Sequence, residues 1–230
     1  MKTLLKTVLR FVLFFAVVHT LIRIFRHLYK FPMPQGMANF IDNPLRRKLQ
    51  PPDEMPQRHD LRPGQTVLEV GPGNGRYTLA SVRRLGEHGR LTAIDIEPKM
   101  IARLSARILA EGATNVEARV ANVHALPFED AAFAAIYLIT VIGEIPHPER
   151  AMAEFFRVLR PGGTLAFSEL LPDPDYPLAS TLTRWAGSAG FTPKRFVASN
   201  IGIDLFDPAK LDHPTDGHLR RSAMQPVGQR

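Results

Sequence analysis

The run Val67-Leu68-Glu69-Val70-Gly71-Pro72-Gly73-Asn74-Gly75-Arg76 ends an apolar stretch in three alternating glycines and then opens a helical pattern. Glycines at 71, 73 and 75 let backbone N–H groups approach a ligand, with the positive end of the following helix aimed at it. Twenty residues past Gly75, Asp95 closes a second apolar run, where a carboxylate can accept from both hydroxyls of a ribose. A glycine triplet alone would be an ordinary turn. The ordered set of strand, glycine loop, helix, strand and acid predicts a nucleotide-type ligand. The spacing is G-x-G-x-G; a dinucleotide fingerprint needs glycine at position 76, where this chain has Arg.

Other catalytic chemistries find less support. Cysteine is absent, which excludes thiolate nucleophiles, Fe–S ligation and disulfides. No His/Asp/Glu spacing reads as a metal site. None of Tyr29, Tyr77, Tyr137 or Tyr176 is followed by Lys four residues on, as a short-chain reductase dyad requires. Glu144 and His147 follow the fourth apolar run and are weak candidates for a base toward an acceptor hydroxyl. His147, His124 and His59 are otherwise expected at the surface, His147 just ahead of a helix beginning at Pro148. Asp173-Pro174-Asp175-Tyr176 resembles the motif of amino-methylating enzymes of nucleic acids, but follows the fifth run and lacks a second proline.

The elements that must position these groups alternate. Thr66–Val70, Leu91–Ile96, Val116–Val120, Ala134–Ile139 and Gly163–Leu170 read as strands, with helices over Tyr77–Leu85, Pro98–Glu111 and Pro148–Leu159 between them. That alternation predicts βαβ units, a parallel sheet and right-handed crossovers. Arg160-Pro161-Gly162-Gly163 is expected to stop its helix and turn into the fifth strand. Leu178–Ala189 reads as a helix, and Lys194–Ala198 with Ile203–Phe206 as a closing hairpin. Seven prolines between Phe31 and Pro63 predict a linker or lid, with a short helix over Asn43–Leu49 capped by Asn43.

The 230 residues carry a net charge of +7. Residues 1–50 hold nine Lys/Arg and one acid, Asp42, so the remainder is at about −1 and the basic surplus belongs to the leader. A near-neutral body argues against a nucleic-acid groove. Leu4–Phe25 is long enough, at roughly 33 Å of helix, to cross a bilayer, with Lys6, Arg10 and Arg23 placed to snorkel. A small-x-small cleavage site does not follow, which favours an anchor over a signal peptide or an in-plane helix. Arg46-Arg47-Lys48 favours a cytoplasmic body.

With these motifs in place, the chain resembles the class I S-adenosylmethionine-dependent methyltransferases from about Gln50 to Phe206, most closely the ubiquinone/menaquinone methyltransferase branch. LEVGPGNGRYT matches the family's first motif, AIDIEPKM its second-strand acid, ALPFEDAAFAAIYLI its fourth-strand region and EFFRVLRPGGTLAFSELL its fifth. The resemblance implies an α/β, Rossmann-like, doubly wound sheet of seven mostly parallel strands with a C-terminal antiparallel hairpin, preceded here by the hydrophobic helix. It implies S-adenosyl-L-methionine as cofactor, with Glu69 near its methionine end, Gly71, Gly73 and Gly75 along its backbone, and Asp95 on the ribose. Ile96 would pack on the adenine, Asn122 and Val123 would face its edge, and Leu138 to Gly143 would border the methyl. Two positions depart from the pattern: Ala121-Asn122-Val123 stands where Gly-Asp-Ala is common, and Phe133-Ala134 where Phe-Asp is usual.

The expected organisation is a membrane-anchor helix over 1–30, a Pro-rich linker or lid over 31–62, a methyltransferase domain over 63–207 and a flexible tail over 208–230. The expected activity is methyl transfer to a small, lipid-like acceptor at a membrane, with the domain on the cytoplasmic side and no nucleic-acid partner. The rival readings are a non-catalytic cofactor-binding domain in a membrane complex and a dinucleotide-dependent oxidoreductase.

Overall fold

The computed structural model of the protein describes residues 2–29, 44–170, 173, 175–198 and 201–208. Helix α1 (Lys2–Leu28) runs without a break, as expected of a stretch free of Pro and Gly. Its window Leu5–Arg26 is long and apolar enough to cross a membrane by length and composition, and nearly all of its apolar side chains are exposed, with Arg26 at its foot the buried residue. The proposed cap Asn43, the lid residues 31–43 and the tail residues 209–230 lie outside the described residues.

Helix α2 (Pro44–Leu49) starts on a proline, whose missing N–H costs nothing in a first turn. The segment after it is not a linker. A short helix α3 (Met55–Arg58) forms there, and Met55, His59 and Leu61 are 0–1% exposed. Two apolar anchors six residues apart, Met55 and Leu61, pull a proline-rich stretch into the core, and Pro56 sits in the first turn, where it is tolerated. His59 is thereby a buried residue, contrary to the surface position expected of it.

Five strands form a parallel sheet: β1 (Thr66–Val70), β2 (Arg90–Asp95), β3 (Val116–Val120), β4 (Phe133–Ile139) and β5 (Leu159–Leu170), in the order β3-β2-β1-β4-β5. Helices α4 (Arg76–Leu85), α5 (Pro98–Ala110) and α6 (Pro148–Val158) make crossovers. Because β1 pairs with both β2 and β4, the winding reverses there, and crevices at such a switch point receive ligands. Alternate side chains serve two cores: Leu68, Val70, Ile136 and Leu138 face one, Val67, Ala135 and Tyr137 the other.

Beyond helix α7 (Ala179–Ser188), β6 (Phe191–Ala198) pairs antiparallel with β7 (Ile201–Pro208), which pairs antiparallel with β5. One local expectation is corrected. Arg160–Gly163 does not separate helix from strand; β5 begins at Leu159, and its register on β4 jumps from Phe133↔Leu159 to Ala135↔Thr164. The four residues are absorbed as an irregularity within the strand, with Gly162 at φ +74° supplying the left-handed step.

Candidate active site

A cleft of about 800 Å³ opens at the carboxyl ends of β1, β2, β3 and β4. One wall is built by the short loops that leave β1, β2 and β3. Gly71, Gly73, Asp95, Ile96, Asn122 and Val123 all line it, as expected from their positions.

The three glycines answer to different constraints. Gly73, at φ +56°, has open space where a Cβ would stand, so the loop presents bare backbone to the cleft. A Cβ on Gly71 would come within 2.5 Å of the Val141 side chain, and one on Gly75 within 2.4 Å of Leu104. Gly75 does not line the cleft: it lets α4 start against α5.

Asp95 closes β2 with Oδ1 accepting from the Glu97 amide at 2.9 Å, which fixes the carboxylate at the cleft edge. Burial raises its pKa, and that amide opposes the rise. Ile96 beside it is 56% exposed, an apolar side chain left facing the cleft. Asn122 accepts from the His124 amide at 2.9 Å in a side-chain turn, so it holds the loop as well as lining the cleft. His124 in turn reaches Pro146 O at 2.6 Å, joining the β3 and β4 loops.

Besides Gly75, two expected site residues stand elsewhere. Leu138 is fully buried in the core, because the alternation of β4 turns it away from the cleft, whereas Ile139, Thr140 and Val141 line it. Glu69 is 3% exposed and is not on the cleft surface. Burial pushes its carboxyl up to about 7, with the Thr78 hydroxyl and Tyr137 phenol drawing it back down. It is a buried carboxyl one residue short of the end of β1, between Thr78 of α4 and Tyr137 of β4.

The opposite wall, after β4, was only partly visible in the sequence. Glu144 and His147 line it as expected, Glu144 half-buried in a 3-10 turn (Ile142–Glu144) and His147 exposed ahead of α6. His147 adopts φ +47°, and its carbonyl accepts from the Arg150 amide at 3.0 Å. The unforeseen member is Arg46 on α2, a cleft residue that donates to the Thr140 hydroxyl and, at 3.3 Å, to Gln50 Oε1. Thr140 itself sits at φ +53°, a costly conformation for a β-branched side chain. Its amide donates to Ser168 O at 2.8 Å and its hydroxyl to Ile139 O at 2.8 Å, so the surroundings over-determine the strained turn. Positive φ at an isolated threonine has no sequence signature, and a basic triplet in a proline-rich segment reads as solvated charge.

Behind this wall, His59 Nε2 lies 2.7 Å from Ser168 Oγ and its ring stacks on Tyr137 at 5.2 Å. Burial and the Arg58 charge lower its pKa to about 3, so it is neutral. Glu169 is 2% exposed, and burial together with the Asp173 charge raises its pKa well above the usual carboxylate range.

An open carboxylate at the end of β2, a bare glycine backbone at the end of β1, and an apolar side chain beside them suit a ligand with a ribose, a polar tail and a flat ring. This fold and this cleft define the class I S-adenosylmethionine-dependent methyltransferases, and S-adenosylmethionine is the cofactor of that class. Residues 67–163 match the family described as a methyltransferase domain, so that stretch is a domain of the S-adenosylmethionine-dependent methyltransferase type. The chain is 38% identical over 113 residues to the ubiquinone/menaquinone biosynthesis C-methyltransferase UbiE of Brucella anthropi, covering 47% of this chain and 43% of that one. It is 30% identical over 117 residues to an arsenite methyltransferase of Halobacterium salinarum, covering 51% of this chain and 30% of the relative. The chain thus spans less than half the length of these curated relatives. Among solved structures, a SAM-dependent methyltransferase from Aquifex aeolicus superposes with a TM-score of 0.71 at 24% identity, covering 76% of this chain and all of that one.

Proposed function

We propose that this protein transfers the methyl group of S-adenosylmethionine to a small, lipophilic acceptor at a membrane surface. The observation that carries the reading is the cleft wall in which bare Gly73, Asp95 and Ile96 stand side by side at the switch point of the sheet. Asp95 accepts from the ribose hydroxyls, Ile96 covers one face of the adenine, and Asn122 and Val123 meet its edge. Gly71 and Gly73 follow the cofactor's backbone, while Glu69 stays buried in β1. The cofactor supplies a methyl already activated on a sulfonium, so the protein's work is alignment and exclusion of water. Ile139, Val141 and Ile145 give the remaining cleft an apolar lining suited to a lipid-like acceptor. The relative named as a quinone C-methyltransferase supports that acceptor class.

The proposal includes the organisation: a membrane anchor over 1–30, a linker over 31–62 whose later part is folded into the core, a methyltransferase domain over 63–207 with the hairpin completing a seven-stranded sheet, and a tail over 208–230. The apolar exposed surface of α1 supports the anchor, and the basic Arg47 and Lys48, both exposed, support a cytoplasmic body. Glu144 and His147, which both line the cleft, are the two candidate bases.

The test is incubation of the full chain in vesicles with methyl-labelled S-adenosylmethionine and a membrane lipid extract. Label entering an organic-soluble product, and lost in Asp95→Ala, is the expected result. Cofactor binding with no label transferred to lipid, quinone or soluble small molecules would replace this reading with a non-catalytic cofactor-binding domain. The fold is not tied to methyl transfer: a [4+2]-cyclase, SpnF, shares it with a TM-score of 0.58 at 26% identity.

A further inference from the structure

The foot of α1 is tied to the wall of the cleft. Arg26, 8% exposed, donates from Nε to Asp175 Oδ2 at 2.7 Å, and its Nη2 lies 3.7 Å from Glu144 Oε1. One turn earlier, Arg23 Nη2 donates to Tyr176 O at 2.8 Å. Glu144 lines the cleft, and the neighbouring Gly143 packs so closely on the Asp175 carbonyl that a Cβ there would come within 2.0 Å of its oxygen. The loop after β4, the segment after β5 and the end of α1 therefore form one packed unit. A helix serving only as a tether would leave both arginines in water.

The same turns of α1 carry the marks of a water–lipid boundary. Phe25 and Tyr29 are 52% and 62% exposed with ring centres 5.2 Å apart, at the point where the apolar run gives way to charge. Above them Phe11, Leu13, Phe14, Phe15 and Leu21 are all at least 60% exposed, an apolar surface suited to the hydrocarbon of a bilayer. Leu178, two residues past Tyr176, is another exposed apolar side chain, at 58%.

We infer that Arg26 is an ionic latch that holds the acceptor end of the cleft against the face of the bilayer, so that a lipid-dissolved acceptor enters from the membrane. The acceptor's route rests on the methyl-transfer reading, whereas the latch rests on the contacts of α1 alone. Arg26 acts by positioning and does not touch the reacting atoms. Removing Arg26 leaves the buried Asp175 carboxylate without its cation, and removing Asp175 leaves Arg26 with only the longer Glu144 contact, so the unit opens.

Because the chain has no cysteine, one introduced thiol is a unique labelling site. A fluorophore is placed at Leu178→Cys, or at exposed Glu111→Cys past the far end of α5, in the full chain reconstituted in phosphatidylcholine/phosphatidylglycerol vesicles. Headgroup-proximal spin-labelled lipid should quench position 178 severalfold more than position 111. Arg26→Gln and Asp175→Asn should each bring position 178 down to the level of 111, and Arg26→Lys should retain most of the difference. Equal quenching at the two sites in the parent, or no change in either variant while the helix stays inserted by flotation, would overturn the latch. Titrating S-adenosylhomocysteine into the same samples separates the two readings. Binding without a quenching difference defeats only the latch, and a quenching difference without binding defeats only the methyl-transfer reading.

Discussion

The two walls of the cleft are made in different ways. On the side of β1, β2 and β3, each contributing group lies within three residues of a strand end, and its contacts are to neighbouring backbone, as with Asp95 and the Glu97 amide. On the side of β4 and β5, polar groups arrive from outside the βα units: Arg46 reaches Thr140 across 94 residues and Arg26 reaches Asp175 across 149. The first wall is therefore a property of local loops and is common to a fold class. The second depends on how the N-terminal segment packs, and it is where the proposed acceptor would be selected.

If that division holds, damage to the glycine loop should be the most severe. Gly75→Val combines a left-handed φ of +76° with overlap on Leu104, and should cost about 3 kcal/mol in urea unfolding and abolish S-adenosylhomocysteine binding. A stable, cofactor-binding variant would mean that the first wall is less constrained than it looks.

The buried titratable groups should reveal themselves through pH. Glu69 has a folded pKa of about 7, raised from 4.5, so the stability it lends is full below pH 4.5 and is lost as pH rises through 7. Glu69→Gln should remove that loss, and its advantage over the parent should grow by about 3 kcal/mol across the window. His59 works in the opposite sense. Its folded pKa of about 3 lies below the ordinary 6.5, so its contribution is full above pH 6.5 and is lost as pH falls toward 3. Thermal melts of Glu69→Gln and His59→Asn across that range check both slopes; parallel profiles for parent and variants would contradict the burial assignments.

Smaller effects sharpen the contrast between walls. Arg46→Ala should cost about 1 kcal/mol through the lost Thr140 and Gln50 contacts, yet change S-adenosylhomocysteine affinity less than about twofold. A large loss of cofactor affinity would merge the two walls into one site. Arg83→Ala, which removes an exposed pair with Asp53 remote from the cleft, should stay within about 0.5 kcal/mol and serve as the baseline.

The sequence made the first wall legible because glycine spacing, a strand-ending acid and alternating elements are all local patterns. The predicted strands match the observed parallel ones to within a few residues, the exception being β5, whose start was hidden by the Arg160–Gly163 irregularity. What escaped was set by tertiary packing. Proline density in 31–62 masked the apolar pair Met55 and Leu61 that draws His59 into the core. The one-residue alternation of β4 moved the lining from Leu138 to Ile139 and Thr140. Glu69 ends an apolar strand just as Asp95 does, yet residues 78 and 137 close over it, and no spacing along the chain foretells that.

The most direct test of the central claim is calorimetric titration of the full chain with S-adenosylmethionine, S-adenosylhomocysteine and NADH, beside Asp95→Ala. The account predicts micromolar binding of the first two, no binding of NADH, and a loss of about tenfold or more in the variant, or about 1.4 kcal/mol. A folded protein that binds neither sulfur compound, or binds them equally well without the Asp95 carboxylate, would contradict it.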